Sequence, residues 1–440
     1  MFNMKISGQE LYKEGKKRIP GGTQLLSKRP EMFLPEHWPS YYSKAKGAEI
    51  WGLKNEKFVD MSYMGIGACI LGYADPDVNK AVHKAIDSGS MTTLNCPEEV
   101  ELAELLCELH PWAQMVRYAR CGGESMTIAV RIARAYTGRD KVAFCGYHGW
   151  HDWYLASNLS DKKALDGHLL PGLAPAGVPR GLTGTALPFH YNNIEELETI
   201  VKNHGKDLAA IVMEPIRNHE PKPGFLERIR KIANKLGAVL IFDEITAGWR
   251  MNAGGIHLRY NVNPDIAVLG KAISNGYPMA AVIGVKDVME AAQSSFISST
   301  YWTERIGPVA AIATIKKFIR CNVAAHLNKV GEKVQEVWKT SASEAGIAIT
   351  VSGIPPLGHF SFDYSEGEKI RTLFTQIMLE KGFLATNAFY ASYAHKDKHI
   401  NKYRRAVRDT FHVLSDIIKK GEIDKYLKGP VAHTGFARLT

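Results

Sequence analysis

Two side chains in this sequence stand where amine and carbonyl chemistry could be done. Residues 238–245 form a short apolar run that ends in Asp243 and Glu244, and residues 266–269 form a second one followed by Gly270 and Lys271. Short apolar runs bounded by glycine read as strands buried on both faces. Open α/β sheets gather their ligands at the carboxyl ends of such strands. If the two strands are neighbours, one carboxylate and one amine meet at the same edge. A lysine amine condenses with an aldehyde to a Schiff base, and a carboxylate holds the proton of a pyridinium ring. Those are the needs of a pyridoxal phosphate (PLP) site. Each residue also has a plainer use: Asp at a strand end serves turns and caps, and a Lys in a loop is commonly solvated. The rest of the chain decides between the two.

The first test is whether anything could hold a phosphate. Residues 115–118 are strand-like, 120–125 read as a tight turn containing Gly122 and Gly123, and 126–136 are amphipathic, with Ile128, Ile132 and Ala135 at helical spacing. Strand, double glycine and helix N-terminus make an anion cradle, because free N–H groups and the positive dipole end face the ligand. The third glycine of a Rossmann turn and the Gly-Lys-Ser/Thr of a P-loop are both missing. Residues 141–145 form another strand, ending in Gly146, Tyr147, His148 and Gly149. An aromatic ring beside a glycine at a strand end can stack on a planar cofactor or simply pack in its loop.

These strands need a scaffold, and the chain supplies one. A strand over 208–213 ends in Glu214 and Pro215, and a helix over 226–235 leads into the central strand. Strand, helix, strand repeated at this spacing predicts an α/β fold with a mostly parallel sheet and right-handed crossovers. A strand over 280–284 follows too closely for a crossover and is expected to run antiparallel. Upstream lie a helix over 8–18, a proline- and aromatic-rich loop over 23–42, a hairpin over 48–60, and helices over 77–87 and 98–110. The stretch 157–190 reads as a long loop. Downstream come helices over 306–320 and on toward 344, then strands (347–351, 358–362) alternating with helices (369–380, 398–420). The division expected is 1–60 as an N-terminal segment packing with the small domain, 61–310 as the large cofactor-binding domain, and 311–440 as the C-terminal small domain.

Bulk properties exclude several classes. At 440 residues the chain exceeds one typical domain, and its 45% hydrophobic and 23% charged residues are ordinary for an enzyme. No apolar run of about 18 residues exists and residues 1–7 lack an apolar h-region, so neither a membrane span nor a signal peptide is expected. Six scattered cysteines without a Cys-x-x-Cys pair point to reduced cytoplasmic thiols, with no metal centre and no disulfide framework. The net charge of +10 is spread out, and its densest cluster (Lys396, Lys398, Lys402, Arg404, Arg405, Arg408) falls on one predicted helix. That is a solvated helix face, and no nucleic-acid partner is expected.

Ile19-Pro20-Gly21-Gly22, Cys121-Gly122-Gly123-Glu124, Tyr147-His148-Gly149, Glu214-Pro215, Phe242-Asp243-Glu244 with Gly248-Trp249-Arg250, and Leu269-Gly270-Lys271 occur in this order. Together they resemble the class III PLP-dependent aminotransferases, in particular the glutamate-1-semialdehyde 2,1-aminomutase branch, over nearly the whole chain. The resemblance implies the fold type I architecture and a homodimer with active sites at the subunit interface. It implies that Lys271 forms the internal aldimine and shuttles the substrate proton, while Asp243 faces the pyridine nitrogen. It assigns Gly122 and Gly123 to the phosphate loop, Tyr147 and Ile245 to the two faces of the ring, and Thr300 to the partner subunit's phosphate. Glu214, Glu244, Arg250 and His148 match supporting positions.

Three departures stand out. Cys121 and Gly123 replace hydroxyl residues, residues 301–308 are longer and more aromatic than the family's run, and only Lys28 or Arg29 lies near the aminomutase's substrate arginine. The expected activity is therefore transfer of an amino group from an amino acid to a keto or aldehyde acceptor. A sugar-type carbonyl is one acceptor class, since Trp153, Tyr301, Trp302 and Arg305 offer an aromatic and polar pocket. The alternatives are an intramolecular 2,1-aminomutase and a PLP racemase or epimerase; a PLP-binding regulator would carry a fused DNA-binding module, for which the 440 residues are expected to leave no room.

Overall fold

The computed structural model describes residues 6–168, 171–216 and 218–435. The leading residues of the N-terminal segment and two positions of the 157–190 stretch lie outside the described residues. The chain divides into two compact units, residues 76–324 and residues 1–75 with 325–440.

The larger unit is built on a seven-stranded sheet. In chain order its strands are β1 (Met115–Ala119), β2 (Lys141–Cys145), β3 (Ala186–Pro188), β4 (Leu208–Met213), β5 (Val239–Asp243), β6 (Ile266–Leu269) and β7 (Ala280–Gly284). They lie side by side as β1-β7-β6-β5-β4-β2-β3. Pairing is parallel from β6 through β5, β4 and β2 to β3. Strand β7 runs antiparallel to both β6 and β1, as its short connection required. The consequence for function is geometric. The carboxyl ends of β1, β2, β5 and β6 all reach one edge of the sheet.

Burial explains why these runs are strands. Every residue of β4, β5, β6 and β7 is buried, so no polar alternation is needed, as in any sheet covered on both faces. Helix α1 (Gly122–Thr137) covers one face with Met126, Ile128, Ala129, Val130, Ile132 and Ala133, all buried, and helix α2 (Phe225–Leu236) buries Phe225, Leu226, Ile229 and Ala233. Each large aliphatic side chain so buried is worth about 1.5–3 kcal/mol. Both helices stop at a left-handed glycine, Gly138 at φ 65° and Gly237 at φ 61°, where a side chain would be strained. Helix α1 begins at Gly122, so the double glycine belongs to its first turn and not to a turn preceding the helix. The 157–190 stretch is less bare than its composition predicts, with short helical turns at Ser157–Ser160 and Arg180–Leu182 and strand β3.

The second unit holds the hairpin strands Glu49–Gly52 and Lys57–Asp60, joined by Tyr42–Lys46 and by Phe383–Leu384, which pairs in parallel with Lys57–Asp60. Its other sheet is antiparallel, formed by Ile349–Ser352, Leu357–Phe362 and Ala388–Tyr390. Phe360, Phe374 and Phe411 meet with ring centroids 5.6–6.1 Å apart in its aromatic core. The dividing points, after residues 75 and 324, differ from the 60/61 and 310/311 read in the sequence. Backbone hydrogen bonds explain the first: Met61 N–H donates to Leu384 and Tyr393 N–H to Ile70, which keeps residues 61–75 in this unit. Helix Ile306–Arg320 stays with the larger unit, where Arg320 and Lys317 pair with Asp77.

Candidate active site

Strands β5 and β6 are adjacent, with Asp243 directly opposite Val268. Asp243 is buried, at 4% exposure. Its Oδ1 accepts the N–H of Ile245 at 3.0 Å, and its Oδ2 lies 2.8 Å from Nδ1 of His148. Lys271 follows β6 in a left-handed conformation, φ 43°. For a residue with a Cβ that conformation costs on the order of 1–3 kcal/mol, which a fold retains where surrounding structure over-determines it. The Lys271 amine donates to Thr246 Oγ1 at 2.8 Å. Thr246 was not singled out from the sequence; it lies on the turn that begins at Asp243, three residues on.

The glycines of α1 sit against the same turn. A Cβ on Gly122 would come 2.9 Å from Cδ1 of Ile245, and one on Gly270 would lie 3.4 Å from Cγ2 of the same side chain. Ile245 therefore touches both the helix N-terminus and the start of the lysine turn. A Cβ on Gly123 would meet the His151 ring at 2.8 Å. Burial lowers the pKa of His151 from its usual value, opposed by Glu124 and Asp152. Glu124 folds back to accept the N–H groups of Arg120, at 3.2 Å, and Cys121, at 3.0 Å. That is the reach of an acidic residue at the third helical position, a spacing that could have been read in the sequence. The N–H groups of Gly122 and Gly123 have no intrahelical acceptor and supply the anion-facing donors of the helix end. Cys121 contributes a thiol whose pKa burial pushes up.

Tyr147 lies after β2, held by its neighbours. Its N–H donates to Glu214 Oε2 at 3.3 Å. Gly146, at φ 111°, donates to Nδ1 of His168 at 3.2 Å and accepts from the Tyr154 hydroxyl at 3.0 Å. A Cβ there would sit 2.8 Å from the Glu214 carboxylate, so only glycine lets that loop lie against it. Glu244 faces the other way. Its carboxylate is fully buried and accepts the N–H groups of Ile256 and His257, both at 2.9 Å, and His257 Nδ1–H at 2.7 Å. Trp112 completes the group by donating to His257 Nε2 at 3.0 Å.

The sequence-predicted residues thus separate into two sets. Gly122, Asp243 and Ile245 meet at one sheet edge, and Lys271 joins them through Thr246 and its neighbour Gly270; Gly123 shares the helix end, and Tyr147 adjoins Asp243 through His148. Thr300 stands apart on an exposed turn, where its carbonyl accepts the Thr303 hydroxyl at 2.9 Å. Of Trp153, Tyr301, Trp302 and Arg305, expected to offer an aromatic and polar pocket, Trp302 packs against the core cluster that contains Trp153. Trp153 is 4% exposed within the core, Arg305 is engaged by the Glu98 carboxylate at 2.7–3.1 Å, and Tyr301 is exposed. The start of the cradle is tied instead to Glu304, which pairs with Arg120 at 2.9 Å and accepts the N–H of Gly307 at 2.8 Å.

This donor set fits pyridoxal phosphate. One amine, one buried carboxylate on the adjacent strand, a glycine-opened helix end and an aliphatic side chain between them match an aldehyde, a ring nitrogen, a phosphate and a ring face. Among the described residues, no group of His, Cys, Asp and Glu is arranged to hold a metal ion, and no helix is long and apolar enough to cross a membrane.

Comparison with known proteins agrees. The family model for aminotransferase class-III matches residues 35–393. The chain is 32% identical over 417 residues to the 3-aminobutyryl-CoA aminotransferase of Cloacimonas acidaminovorans, covering 91% of this chain and 95% of that protein. It is 30% identical over 428 residues to the glutamate-1-semialdehyde 2,1-aminomutase of Ignicoccus hospitalis, covering 92% and 99%. An omega-transaminase structure from Sphaerobacter thermophilus superposes with a TM-score of 0.82 at 25% identity, over 92% of this chain and 97% of that one. The chain belongs to the class III aminotransferases, the pyridoxal phosphate enzymes that its sheet edge was built to resemble.

Proposed function

We propose that Lys271 and Asp243 form the catalytic centre of an aminotransferase whose amino donor carries its amine on a carbon beyond the α position. The observation that carries this reading is the placement of the amine and the buried carboxylate at the carboxyl ends of paired strands β5 and β6, with Ile245 between the lysine turn and the end of α1. When bound, the cofactor supplies an electron sink for the carbanion left by proton removal. Lys271 would hold the cofactor through its amine and would move the substrate proton. Thr246 holds that amine at the strand end in the meantime. Asp243, short of water, favours a protonated ring nitrogen. Gly122 and Gly123 would hold the phosphate through backbone N–H groups, and Tyr147 and Ile245 would flank the ring.

The donor class rests on the relatives, since a 3-aminobutyryl-CoA aminotransferase matches along 95% of its length. A sugar-type acceptor has less support, because Trp153 and Arg305 are committed to packing and to an ion pair. The aminomutase reading is kept by the match to a glutamate-1-semialdehyde 2,1-aminomutase. We also infer a cytoplasmic homodimer in which Thr300 of each protomer reaches the other's phosphate. Its exposure, and that of Phe296 at 91% and Tyr301 at 70%, support a surface that a second copy covers.

The test is the visible absorption of the purified holoenzyme during single additions of α-, β- and ω-amino acids and 3-aminoacyl thioesters. Loss of the cofactor band with a β-amino donor, and its return with a 3-oxo acceptor, supports the proposal. Return only with a keto sugar, or a response to α-amino donors alone, refutes the donor class. Conversion of a 1-aldehyde-2-amine without any separate donor would establish the aminomutase instead.

A further inference from the structure

The outer face of α1 carries a cluster of donors that the cofactor set does not use. Thr127, Arg131 and Arg134 recur at four- and three-residue spacing, so they lie on one side of the helix, away from Met126, Ala129 and Ala133, which are buried. With Trp153 and Ser295 they line a cavity of about 430 Å³. A second cavity, of about 220 Å³, shares Thr127 and Arg131 and continues to Glu124, His151 and Trp302. From Thr127 to Arg134 the face spans about 10 Å at the rise of a helix. The charges on it are not spent within the chain. Arg131 is exposed and in no ion pair among the described residues. Arg134 uses its Nε–H on the carbonyl oxygen of Asp140 at 2.9 Å. Burial lowers the pKa of Arg134, with the Asp140 carboxylate opposing, and an anion alongside would offset that desolvation. Glu124 is turned back onto the N–H groups of Arg120 and Cys121. The wall of the larger cavity holds one more donor. Trp153 is 4% exposed, and its Nε1–H is buried without an acceptor among the described residues. An indole N–H can only donate, and a buried donor left unpaired destabilises the fold.

We propose that the cavity beside Arg131, Arg134 and Trp153 binds a phosphate or pyrophosphate group, apart from the phosphate that Gly122 and Gly123 would hold. The two guanidinium forks match oxyanions in pairs of hydrogen bonds, and the indole N–H comes from a different element. Donors converging from two elements suit a tetrahedral anion better than a planar carboxylate, and the volume admits two linked phosphates. Two sources share this chemistry. One is the head of a phosphorylated substrate, whose tail would run along the second cavity toward His151, the ring that a Cβ on Gly123 would meet. The other is a free inorganic anion.

The first measurement is titration calorimetry of the holoenzyme with inorganic pyrophosphate at fixed ionic strength, since the net charge of +10 attracts any anion weakly. The parent is expected to bind it saturably. Arg131→Gln and Arg134→Gln should each weaken binding about tenfold or more, and Trp153→Phe, which keeps a ring but loses the N–H, about threefold or more. Arg131 is exposed, so its variant keeps the fold and decides the matter. Lys402→Gln removes the same charge from an exposed position on the helix Asp397–Lys420 and should bind like the parent. No saturable binding by the parent, or equal losses in Arg131→Gln and Lys402→Gln, overturns the proposal. The second measurement separates the sources and rests on the donor class proposed above. A 3-aminoacyl thioester whose carrier bears a pyrophosphate is compared with the same thioester of a phosphate-free thiol. If the substrate is the source, Arg131→Gln raises KM about tenfold for the first alone, and pyrophosphate competes with the first alone. If pyrophosphate binds through Arg131 and neither KM moves, the site takes a free anion and the proposal stands in that form. Turnover of neither thioester overturns the donor class, while the calorimetry still judges the cavity.

Discussion

Two regions of the large unit are both rich in functional side chains, and they are built oppositely. At the β5–β6 edge every site group is held by a named partner: Asp243 by Ile245 and His148, Lys271 by Thr246, Glu244 by three N–H groups. Along 296–303, Phe296 is 91% exposed, Tyr301 70% exposed, and Thr300 bonds only within its own turn among the described residues. The first region is preorganised by the chain's own core. The second presents side chains that the chain does not itself cover. The proposed function places the chemistry common to every substrate in the first region and the recognition of a second subunit in the second.

If that division is right, the largest effects come from the β5–β6 edge and leave the fold alone. Lys271→Ala removes the amine proposed as covalent anchor and proton carrier, and kcat should fall by about 10³-fold or more with the far-ultraviolet spectrum unchanged. Activity within tenfold of the parent would mean that another amine does this work. Asp243→Asn keeps the size and most hydrogen bonds of the side chain but loses its charge. A fall in kcat of about 10²-fold is expected, the scale of losing one preorganised electrostatic contact. A rate near the parent's would show that a different group protonates the ring.

The acid limb of stability sharpens the comparison from another side. Burial lowers His110 to about 4, and it lowers His395, in the other unit, to about 4 as well. Each folded value lies below the unfolded value of about 6.5, so the unfolded chain takes up protons first. Their stabilising effect is complete above pH ~6.5 and declines as pH falls, by about 1.4 kcal/mol per unit per histidine, until the folded rings titrate near 4. His110 Nε2 accepts the N–H of Gly255, next to the Ile256 and His257 amides that hold Glu244. Protonation of Nε2 would remove its acceptor for Gly255, at the loop that holds Glu244. The thermal midpoint should drop by several degrees between pH 7 and pH 4.5, and less in His110→Asn or His395→Asn. A pH-independent midpoint would contradict the assignment of these rings as buried and neutral.

How much of this was legible beforehand follows the same split. The strands of the edge could be read because burial on both faces leaves a plain apolar run, and Asp243 and Lys271 could be placed because they terminate such runs. The start of α1 was read four residues late, since glycine is a poor helix former whose place in a first turn is set by the sheet beside it. His148 gave no sign of its partner, because Asp243 is 95 positions away and the contact depends on the order in which strands pair. Trp153 reads as a pocket residue and is 4% exposed in the core cluster, a burial that its residue type alone does not reveal. Composition identifies what must be buried but not which surface it meets.

The smallest effect, and the sharpest test of the open region, concerns Tyr301. Its ring is 70% exposed, so Tyr301→Ser has little to disturb within one chain. The melting temperature of a dilute monomer and the Asp243–Lys271 geometry should stay the same. If a second copy covers this surface, burial of an aromatic ring is worth about 1.5–3 kcal/mol, and the dimer should dissociate at about tenfold or higher concentration in sedimentation. Cofactor should then be lost on dilution before the fold is, because Thr300 no longer reaches the neighbouring phosphate. An unchanged dimer with a raised KM for the acceptor would reassign Tyr301 to substrate recognition, and would show that the uncovered region serves a small molecule where the first reading gave it to a subunit.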